Sequence, residues 1–307
     1  MVDSSSPFVS VIIPVFNDAE RLKICLEAID VQTYPKSLYE VIVVDNGSDE
    51  GQNIKGVVKQ FTSAIATYES TPGSYAARNR GISLAKGKVI AFTDADCIPA
   101  LDWLEKGVKN LLAMDNCGLV AGKVNLFFKN PQQPTPVELY ESITAFPQER
   151  LLNNRKAGAT ANVFTFKAVF DRVGLFNANL KSNGDMEWGK RVYEAGYQQI
   201  YAEDTCVAHP TRYSWADLYK RTVRLAGGVY NLYIKPDDHF IQRQKMFLGL
   251  LFESILPPVN FAVNAFQDSR LQSFEQKINV SLTMCFVRYV SAWELTRLKL
   301  GGTANRG

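Results

Sequence analysis

The sequence predicts an α/β protein, with a Rossmann-related, mostly parallel central sheet flanked by helices and a helical C-terminal extension. Apolar runs typical of buried strands alternate with helical patterns at the spacing of βαβ units. Two of these runs end directly in acidic residues, and residues 214–300 are mostly helical in pattern. Because 307 residues can form two domains, we predict a core over 1–212 and an extension over 213–307.

The first half of the chain supplies the predicted parallel strands. A helix with apolar residues in helical spacing follows Asn17 and Asp18, a second begins at Ser74 and stops at Gly87, and a third covers residues 101–114. The four strands that these helices connect are Val9–Phe16, Val41–Val44, a weaker one near Ala64–Tyr68, and Val89–Phe92.

Beyond Gly118 the pattern loosens. We predict a loop, one helix and three strands before the helical region, namely a loop over 130–136, a helix over 185–194, and strands over 120–128, 158–166 and 199–209. The helical region is interrupted at three places, which are Lys235–Asp238, Pro257-Pro258 and the neighbourhood of Asp268. Met246–Phe266 is the best candidate for a membrane span, but Glu253, two prolines and two asparagines interrupt it. We predict no span and leave binding at a membrane surface open.

The charge of the chain is unevenly distributed. The net charge is +3, but residues 207–307 contain 13 Lys/Arg and 7 Asp/Glu, which gives +6 there and −3 in the remainder. The basic part is suited to an anionic partner such as phosphate, acidic lipid or acidic glycan, although an ordinary solvated helical surface explains the same charge. Five widely spaced cysteines and two histidines indicate buried thiols in a reducing compartment rather than disulfides or a zinc site.

Acidic residues at the strand ends are the first functional signal. Asp94 and Asp96 follow the run Val89–Phe92, and Asp45 closes the run Val41–Val44. Ligands of open α/β sheets bind at the carboxyl ends of the strands. Two carboxylates there repel each other unless a cation is present, and Mg²⁺ takes one or two carboxylates while leaving positions for phosphate oxygens. We predict a metal and diphosphate site, with a solvated acidic turn as the simpler alternative.

The chain lacks the sequence signatures of two other nucleotide-binding folds. The chain has no G-x-G-x-x-G, and the Walker-like segment Gly81–Lys88 lies within and after a predicted helix rather than before one. These features argue against a classical dinucleotide dehydrogenase and a P-loop ATPase.

Several ordered motifs resemble those of the inverting glycosyltransferases of family 2, which have the GT-A fold. The resemblance covers about residues 8–212 and depends on the set of motifs rather than on one of them. The motifs are Pro14-Val15-Phe16-Asn17, Asp45-Asn46-Gly47-Ser48, Gly73-x-x-x-Ala77-Arg78-Asn79-x-Gly81, Asp94-Ala95-Asp96, Gly158-Ala159-x-x-Asn162, Val173-Gly174-x-Phe176, and Gly184-Asp185-x-Glu187-Trp188 with Arg191 and Ala195-Gly196-Tyr197. Asn46, Asn177 and Gly184 stand where the family often has acids.

The resemblance implies a donor side of the site. Donor nucleotide binding is expected of four residues, Pro14, Asp45, Arg78 and Asp94, and uridine diphosphate is the family-level expectation for the nucleotide. Asp96 and His209 are expected to hold a divalent metal, Mg²⁺ or Mn²⁺, of which Mn²⁺ accepts imidazole more readily. The simpler alternatives are a surface charge for Arg78 and a structural role for His209.

The resemblance also implies an acceptor side. Asp185 would take the proton of the attacking hydroxyl as general base, although an acid in the first turn of a helix is also favourable on its own. Asn162, Glu187 and Trp188 are expected to bind the acceptor, and core packing is an equally good interpretation of Trp188.

These features together predict a metal-dependent inverting glycosyltransferase. Its expected partners are a nucleotide-sugar donor, a glycan or lipid-linked acceptor of polysaccharide, glycolipid or cell-surface glycan biosynthesis, and an anionic membrane surface, without nucleic acid. We expect a cytoplasmic location, peripheral at the inner face of the membrane; the apolar C-terminal stretches could instead pack on the core or form a dimer. A sugar-phosphate nucleotidyltransferase would need a Gly-rich basic loop where Pro14–Asp18 stands. A non-catalytic carbohydrate-binding protein would not need Asp94, Asp96 and Asp185.

Overall fold

The computed structural model describes residues 6–234 and 239–303, so the predicted break at Lys235–Asp238 lies outside the described residues. The chain divides into two compact units. Unit 1 consists of Met1–Asn125, Phe146–Asn179 and Gly184–His209, and unit 2 consists of Leu126–Ala145, Leu180–Asn183 and Pro210–Gly307. Unit 2 therefore takes in two earlier segments that the predicted division at residue 212 assigns to the core.

Eight strands among the described residues form one mixed sheet. They are β1 Val9–Val15, β2 Tyr39–Asp45, β3 Ala64–Tyr68, β4 Val89–Thr93, β5 Ile98–Pro99, β6 Cys117–Phe127, β7 Asn162–Phe166 and β8 Gln198–Pro210. Their order across the sheet is β3-β2-β1-β4-β7-β6-β8-β5. The pairs β3–β2, β2–β1 and β1–β4 are parallel, whereas β4–β7, β7–β6 and β8–β5 are antiparallel.

The predicted α/β class and the four parallel strands are confirmed. Strands β1, β2 and β4 are buried along almost their whole length, which is typical of parallel strands covered on both faces. Strand β7 begins at Asn162, later than the predicted start at residue 158. The predicted sheet did not distinguish the antiparallel strands that follow β4 from the parallel ones.

Twelve helices lie within the described residues. They are α1 Ala19–Asp30, α2 Ile54–Val58, α3 Ser74–Leu84, α4 Trp103–Leu112, α5 Pro136–Thr144, α6 Gln148–Arg155, α7 Lys167–Val173, α8 Gly184–Glu194, α9 Trp215–Tyr233, α10 Phe240–Ile255, α11 Val259–Gln267 and α12 Phe274–Lys299. Helix α3 ends at Leu84, before the predicted stop at Gly87. Gly87 is required by close packing, because a Cβ there would come 2.5 Å from the backbone nitrogen of Ser10 in β1.

Unit 2 is built from α5 and α9–α12, and its core includes Val137, Leu218 and Val280. Within the described part of the chain, no single helix is long and apolar enough to cross a membrane. Helices α10 and α11 together have the length and composition of a span, but they meet at an angle of 45°.

Candidate active site

The loops after β1 and β2 are joined by hydrogen bonds at one edge of the sheet. Asp45 accepts a hydrogen bond from the amide of Ser48 through Oδ1, at 2.9 Å. Asn17 donates its amide to Ser48 Oγ at 2.9 Å and accepts the amide of Asp49 at 2.7 Å. The parallel register of β1 and β2 brings Pro14 to the same edge. The structure therefore brings the predicted donor residues Pro14 and Asp45 together at the strand ends.

Asn46 fixes the next loop, a role that the sequence did not reveal. Its side-chain amide is buried and donates to the carbonyl oxygens of Glu69 and Thr71, at 2.9 and 2.8 Å. Its Oδ1 accepts the amide of Gly73 at 2.7 Å. An aspartate could accept but could not donate to two carbonyls, which explains an asparagine where the family often has an acid.

Arg78 and Asp94 form a tight ion pair. Arg78 lies on α3 and its Nη2 is 2.5 Å from Asp94 Oδ1. The arginine side chain is only 4% exposed, which excludes the surface-charge interpretation. Its Nε is buried without a partner among the described residues. The buried guanidinium thus orients Asp94 instead of presenting an exposed charge to a ligand.

Asp96 and His209 are far apart in the sequence but close together in the structure. His209 Nε2, at the end of β8, lies 3.4 Å from Asp96 Oδ1. The imidazole is buried beside the ring of Phe146, with centroids 4.5 Å apart. Arg21 is also near, with Nη1 3.7 Å from Asp96 Oδ2.

These side chains fit a divalent metal. The potential ligand atoms of Asp96, Cys97 and His209 all lie within 4.8 Å of one another. Burial raises the pKa of the Cys97 thiol well above its usual value, and the charges of Asp94 and Asp96 raise it further. Because only the thiolate is a good ligand, Cys97 is the weakest of the three candidates. One carboxylate with one imidazole suits Mn²⁺ and leaves positions for phosphate oxygens.

Asp185 is a partly exposed acid in the first turn of α8. Its Oδ1 accepts hydrogen bonds from the Tyr75 hydroxyl and the Met186 amide, both at 3.0 Å, and Oδ2 lies 3.4 Å from the Thr160 amide. Burial raises the pKa of Asp185, while the Arg78 charge and the Tyr75 hydrogen bond partly offset this rise. A carboxylate with a raised pKa is better suited to accept a proton.

Tyr75 is a second residue that sequence reasoning missed. Besides its bond to Asp185, its ring lies 5.6 Å from the Arg78 guanidinium. Tyr75 occupies an unassigned position in the Gly73-x-x-x-Ala77-Arg78 motif, and nothing in its spacing separates it from a core aromatic. Through Tyr75 and Arg78, helix α3 contacts Asp185 and Asp94 at once.

Glu187 does not face Asp185, and its carboxylate is held by Arg191. The two contacts, from Arg191 Nε and Nη2, measure 2.7 and 3.0 Å. The same guanidinium donates to the carbonyl oxygens of Val173 and Leu175. This arrangement gives Glu187 a structural role in fixing the turn before α8, and its predicted acceptor contact has no support in the geometry.

Trp188 and Asn162 are both buried. The Trp188 ring stacks on Phe170 at 4.7 Å, which agrees with core packing. Asn162 accepts from Trp103 Nε1 at 2.9 Å and donates to the carbonyl oxygens of two residues in β6 and β8, Lys123 and Thr205, also at 2.9 Å. The predicted acceptor roles of both residues do not fit this burial. Asn162 joins β7 to β6 and β8, and Trp188 packs in the core.

Comparisons with known proteins assign this chain to a family. The glycosyl transferase family 2 model matches residues 10–175. The chain is 42% identical over 230 residues to glycosyltransferase AglE of Haloferax volcanii, covering 73% of this chain and 74% of that protein. It is 31% identical over 196 residues to the uncharacterized glycosyltransferase RP339 of Rickettsia prowazekii, covering 60% and 58% of the two chains.

A solved structure has a similar fold. It is the mannosyltransferase PcManGT from Pyrobaculum calidifontis in complex with GDP-Man and Mn²⁺, which matches with a TM-score of 0.63 at 19% identity. The match covers 96% of this chain and 89% of the other. From the family match, the relatives and this fold, the chain belongs to glycosyl transferase family 2 and is a glycosyltransferase with the GT-A fold.

Proposed function

We propose that the protein transfers a sugar from a nucleotide-diphosphate sugar to an acceptor hydroxyl with inversion, and that transfer depends on a divalent metal. The observation that carries this proposal is the convergence of Asp96 and His209, 3.4 Å apart, beside the Arg78–Asp94 pair. Asp185 accepts a hydrogen bond from Tyr75, whose ring lies 5.6 Å from the Arg78 guanidinium. Asp94, Asp96 and His209 thus suit the donor diphosphate, and Asp185 suits the acceptor hydroxyl.

The donor side follows from the strand ends. Pro14 and Asp45 would bind the nucleoside, because they lie at the carboxyl edge of adjacent parallel strands. Asp94, held by Arg78, would bind the ribose or support the metal. The complex of the structural neighbour with GDP-Man supports a nucleotide-sugar donor. Uridine diphosphate remains our proposal for the nucleotide, and a guanosine diphosphate sugar is its direct competitor.

Asp96 and His209 would hold the metal, Mn²⁺ or Mg²⁺. When bound, it would offset the negative charge that develops on the leaving diphosphate. The two acids of the Asp94-Ala95-Asp96 motif would then have different roles, with Asp96 as a metal ligand and Asp94 on the nucleotide side.

Asp185 would act as the general base. Its carboxylate removes the proton of the acceptor hydroxyl while that oxygen attacks the anomeric carbon. The bond from the anomeric carbon to the diphosphate breaks, and the diphosphate leaves with the bonding electrons. A single in-line displacement of this kind inverts the configuration. The Tyr75 hydroxyl and the Met186 amide position Asp185 for this step.

The acceptor is proposed to be a glycan or a lipid-linked saccharide in polysaccharide, glycolipid or cell-surface glycan biosynthesis. An ordinary hydroxyl acceptor needs a base, and Asp185 supplies one. Since Asn162 and Trp188 are buried and Glu187 is bound to Arg191, the acceptor would contact other residues around Asp185.

A donor screen tests the proposed function. Uridine, guanosine and thymidine diphosphate sugars are added to the protein with Mn²⁺, with Mg²⁺ or with a chelator, and the melting temperature is measured. Saturation at about 100 times Kd stabilises a protein by about 2.7 kcal/mol, so we expect one donor to raise Tm by several degrees only with metal. Asp96→Ala should abolish this rise, while Asp171→Ala, an exposed acid on α7, should not. Equal stabilisation in the chelator would contradict metal dependence.

A further inference from the structure

Helix α12 carries an apolar stripe on its exposed side. Phe274, Ile278, Leu282, Tyr289 and Trp293 are separated by four, four, seven and four residues, so they lie on one face of the helix. All five are between 37% and 72% exposed. The opposite face is buried within unit 2. Five exposed apolar side chains on one face of a helix of 26 residues are more than the singly scattered apolar residues of an ordinary surface.

Helix α10 carries a second stripe of the same kind. Ile241, Leu248, Phe252 and Ile255 lie on one face and are between 50% and 71% exposed. Phe247 is the one residue of this helix in the buried class among those described. Helices α10 and α11 both contact α12 in unit 2, so the two stripes belong to one group of packed helices.

The bend between α10 and α11 is fixed by hydrogen bonds. Arg288 Nη1 donates to the carbonyl oxygens of Glu253 and Leu256, at 2.9 and 2.7 Å. Pro257 and Pro258 follow directly and cannot continue the helix. Glu253 is exposed about halfway along the pair, and a carboxylate at the centre of a bilayer is unfavourable. The bent pair therefore suits a position in the plane of the membrane interface rather than across it.

We propose that the exposed stripes of α10 and α12 dock into the interface of an anionic lipid bilayer. Residues 240–303 contain 7 Lys/Arg and 4 Asp/Glu, a net of +3, and Lys245 lies within the α10 stripe itself. Positive charge beside apolar stripes favours binding to anionic lipid. A second copy of the chain would carry the same positive charge, so the charge would not favour a dimer. The amphipathic rings of Tyr289 and Trp293 suit the headgroup region.

Vesicle flotation tests the docking surface without any substrate. The full chain is mixed with vesicles of phosphatidylcholine containing 30% phosphatidylglycerol, or of phosphatidylcholine alone, at low and high salt. The stripe variants are Leu248→Glu with Phe252→Glu, and Leu282→Glu. The matched control is Val31→Glu with Leu112→Glu, which are exposed apolar residues of unit 1. Melting curves establish that every variant is folded.

We expect the wild type and the control to float with the anionic vesicles at low salt, less at high salt and less with phosphatidylcholine alone. Each stripe variant should bind at least tenfold less. Absence of flotation by the wild type at low salt, or unchanged flotation of the stripe variants, would overturn the proposal. A wild-type dimer in sedimentation that the stripe variants convert to monomers, without flotation, would assign the stripes to a second copy and overturn it as well.

Discussion

Three buried acids of unit 2 differ from the acids of the candidate site in unit 1. In unit 2, Glu138, Glu141 and Glu294 are at most 1% exposed, and each accepts hydrogen bonds from nearby backbone or arginine groups. In unit 1, the side chains of Asp94 and Asp96 are 29% and 22% exposed, although each lies within ion-pair distance of an arginine. An ion pair alone therefore does not identify a functional acid. The acids of the candidate site are those that are held in place and still accessible.

The apolar side chains of the unit 1 strands and of the unit 2 stripes differ in the opposite direction, because here the residues of unit 1 are the buried ones. In unit 1 the apolar strands β1, β2 and β4 are buried. In unit 2 the apolar stripes of α10 and α12 are exposed. The strands of unit 1 that carry the candidate site thus bury their apolar side chains, whereas the exposed stripes of unit 2 form the surface that we propose to dock on a membrane.

The largest expected effect is the loss of activity in Asp96→Ala. Removing one preorganised group that stabilises developing charge typically costs about 10²–10³ in turnover, and loss of the metal would add to this. Because Asp96 is partly exposed, Tm should change little. Product formation at several Mn²⁺ concentrations and a melting curve measure both effects. Full activity of the variant, or metal-independent transfer by the wild type, would contradict the assignment.

A buried acid of unit 2 should behave in the opposite way. Glu141→Gln would leave Arg212 and Arg221, 3.1 and 3.6 Å from Glu141 Oε1, without their counter-charge. Breaking such a buried pair destabilises by about 3 kcal/mol, so Tm should fall by roughly 6–12 °C while donor binding by the folded protein persists. The exposed Glu275→Gln on α12 is the matched control and should stay near the wild type. A stable Glu141→Gln variant that no longer binds donor would contradict the structural role and would identify Glu141 as a functional acid.

Tyr75→Phe should shift the pH dependence of turnover. The Tyr75 hydroxyl donates to the Asp185 carboxylate and so lowers its pKa. Without this bond the pKa of Asp185 rises further, the base stays protonated to higher pH, and the acidic limb of the kcat profile should move to higher pH. Tyr193→Phe, an exposed tyrosine on α8, is the control. An acidic limb that stays in place in Tyr75→Phe would show that Asp185 does not control that limb.

The smallest effect is expected in Leu282→Ser on the exposed stripe of α12. Because Leu282 is 60% exposed, its loss should change the free energy of unfolding by no more than about 0.5 kcal/mol. A comparable polar substitution at the buried Leu22 of α1 should lower Tm strongly. A large loss of stability in Leu282→Ser would show that the stripe is covered within the free protein.

The parallel half of the fold was predictable because β-branched runs that are buried on both faces stand out in the sequence. The acids at the ends of β2 and β4 followed from those runs. Helix α5 was missed, although Thr135 and Glu138 form a capping box and Pro136 begins the helix. Thr135 and Pro136 lie inside the predicted loop over 130–136, and Glu138 lies two residues beyond its end.

The roles of buried side chains were not predictable from local pattern. Asn162 bonds to residues 39, 43 and 59 positions away in the chain, so only tertiary packing decides that it supports the sheet. The same holds for Tyr75, whose partner Asp185 is 110 positions away. His209 was placed beside Asp96 by the family resemblance alone, since a single histidine carries no local signal.

The most direct test of the account separates donor binding from turnover in Asp185→Asn. Donor affinity is measured by calorimetry with Mn²⁺, and turnover is measured with saturating donor. If Asp185 is the base and Asp96 with His209 form a separate donor site, donor affinity stays within about twofold while kcat falls by about 10²–10⁴. A collapse of donor affinity with turnover preserved on the donor that still binds would contradict the account and make Asp185 a donor ligand.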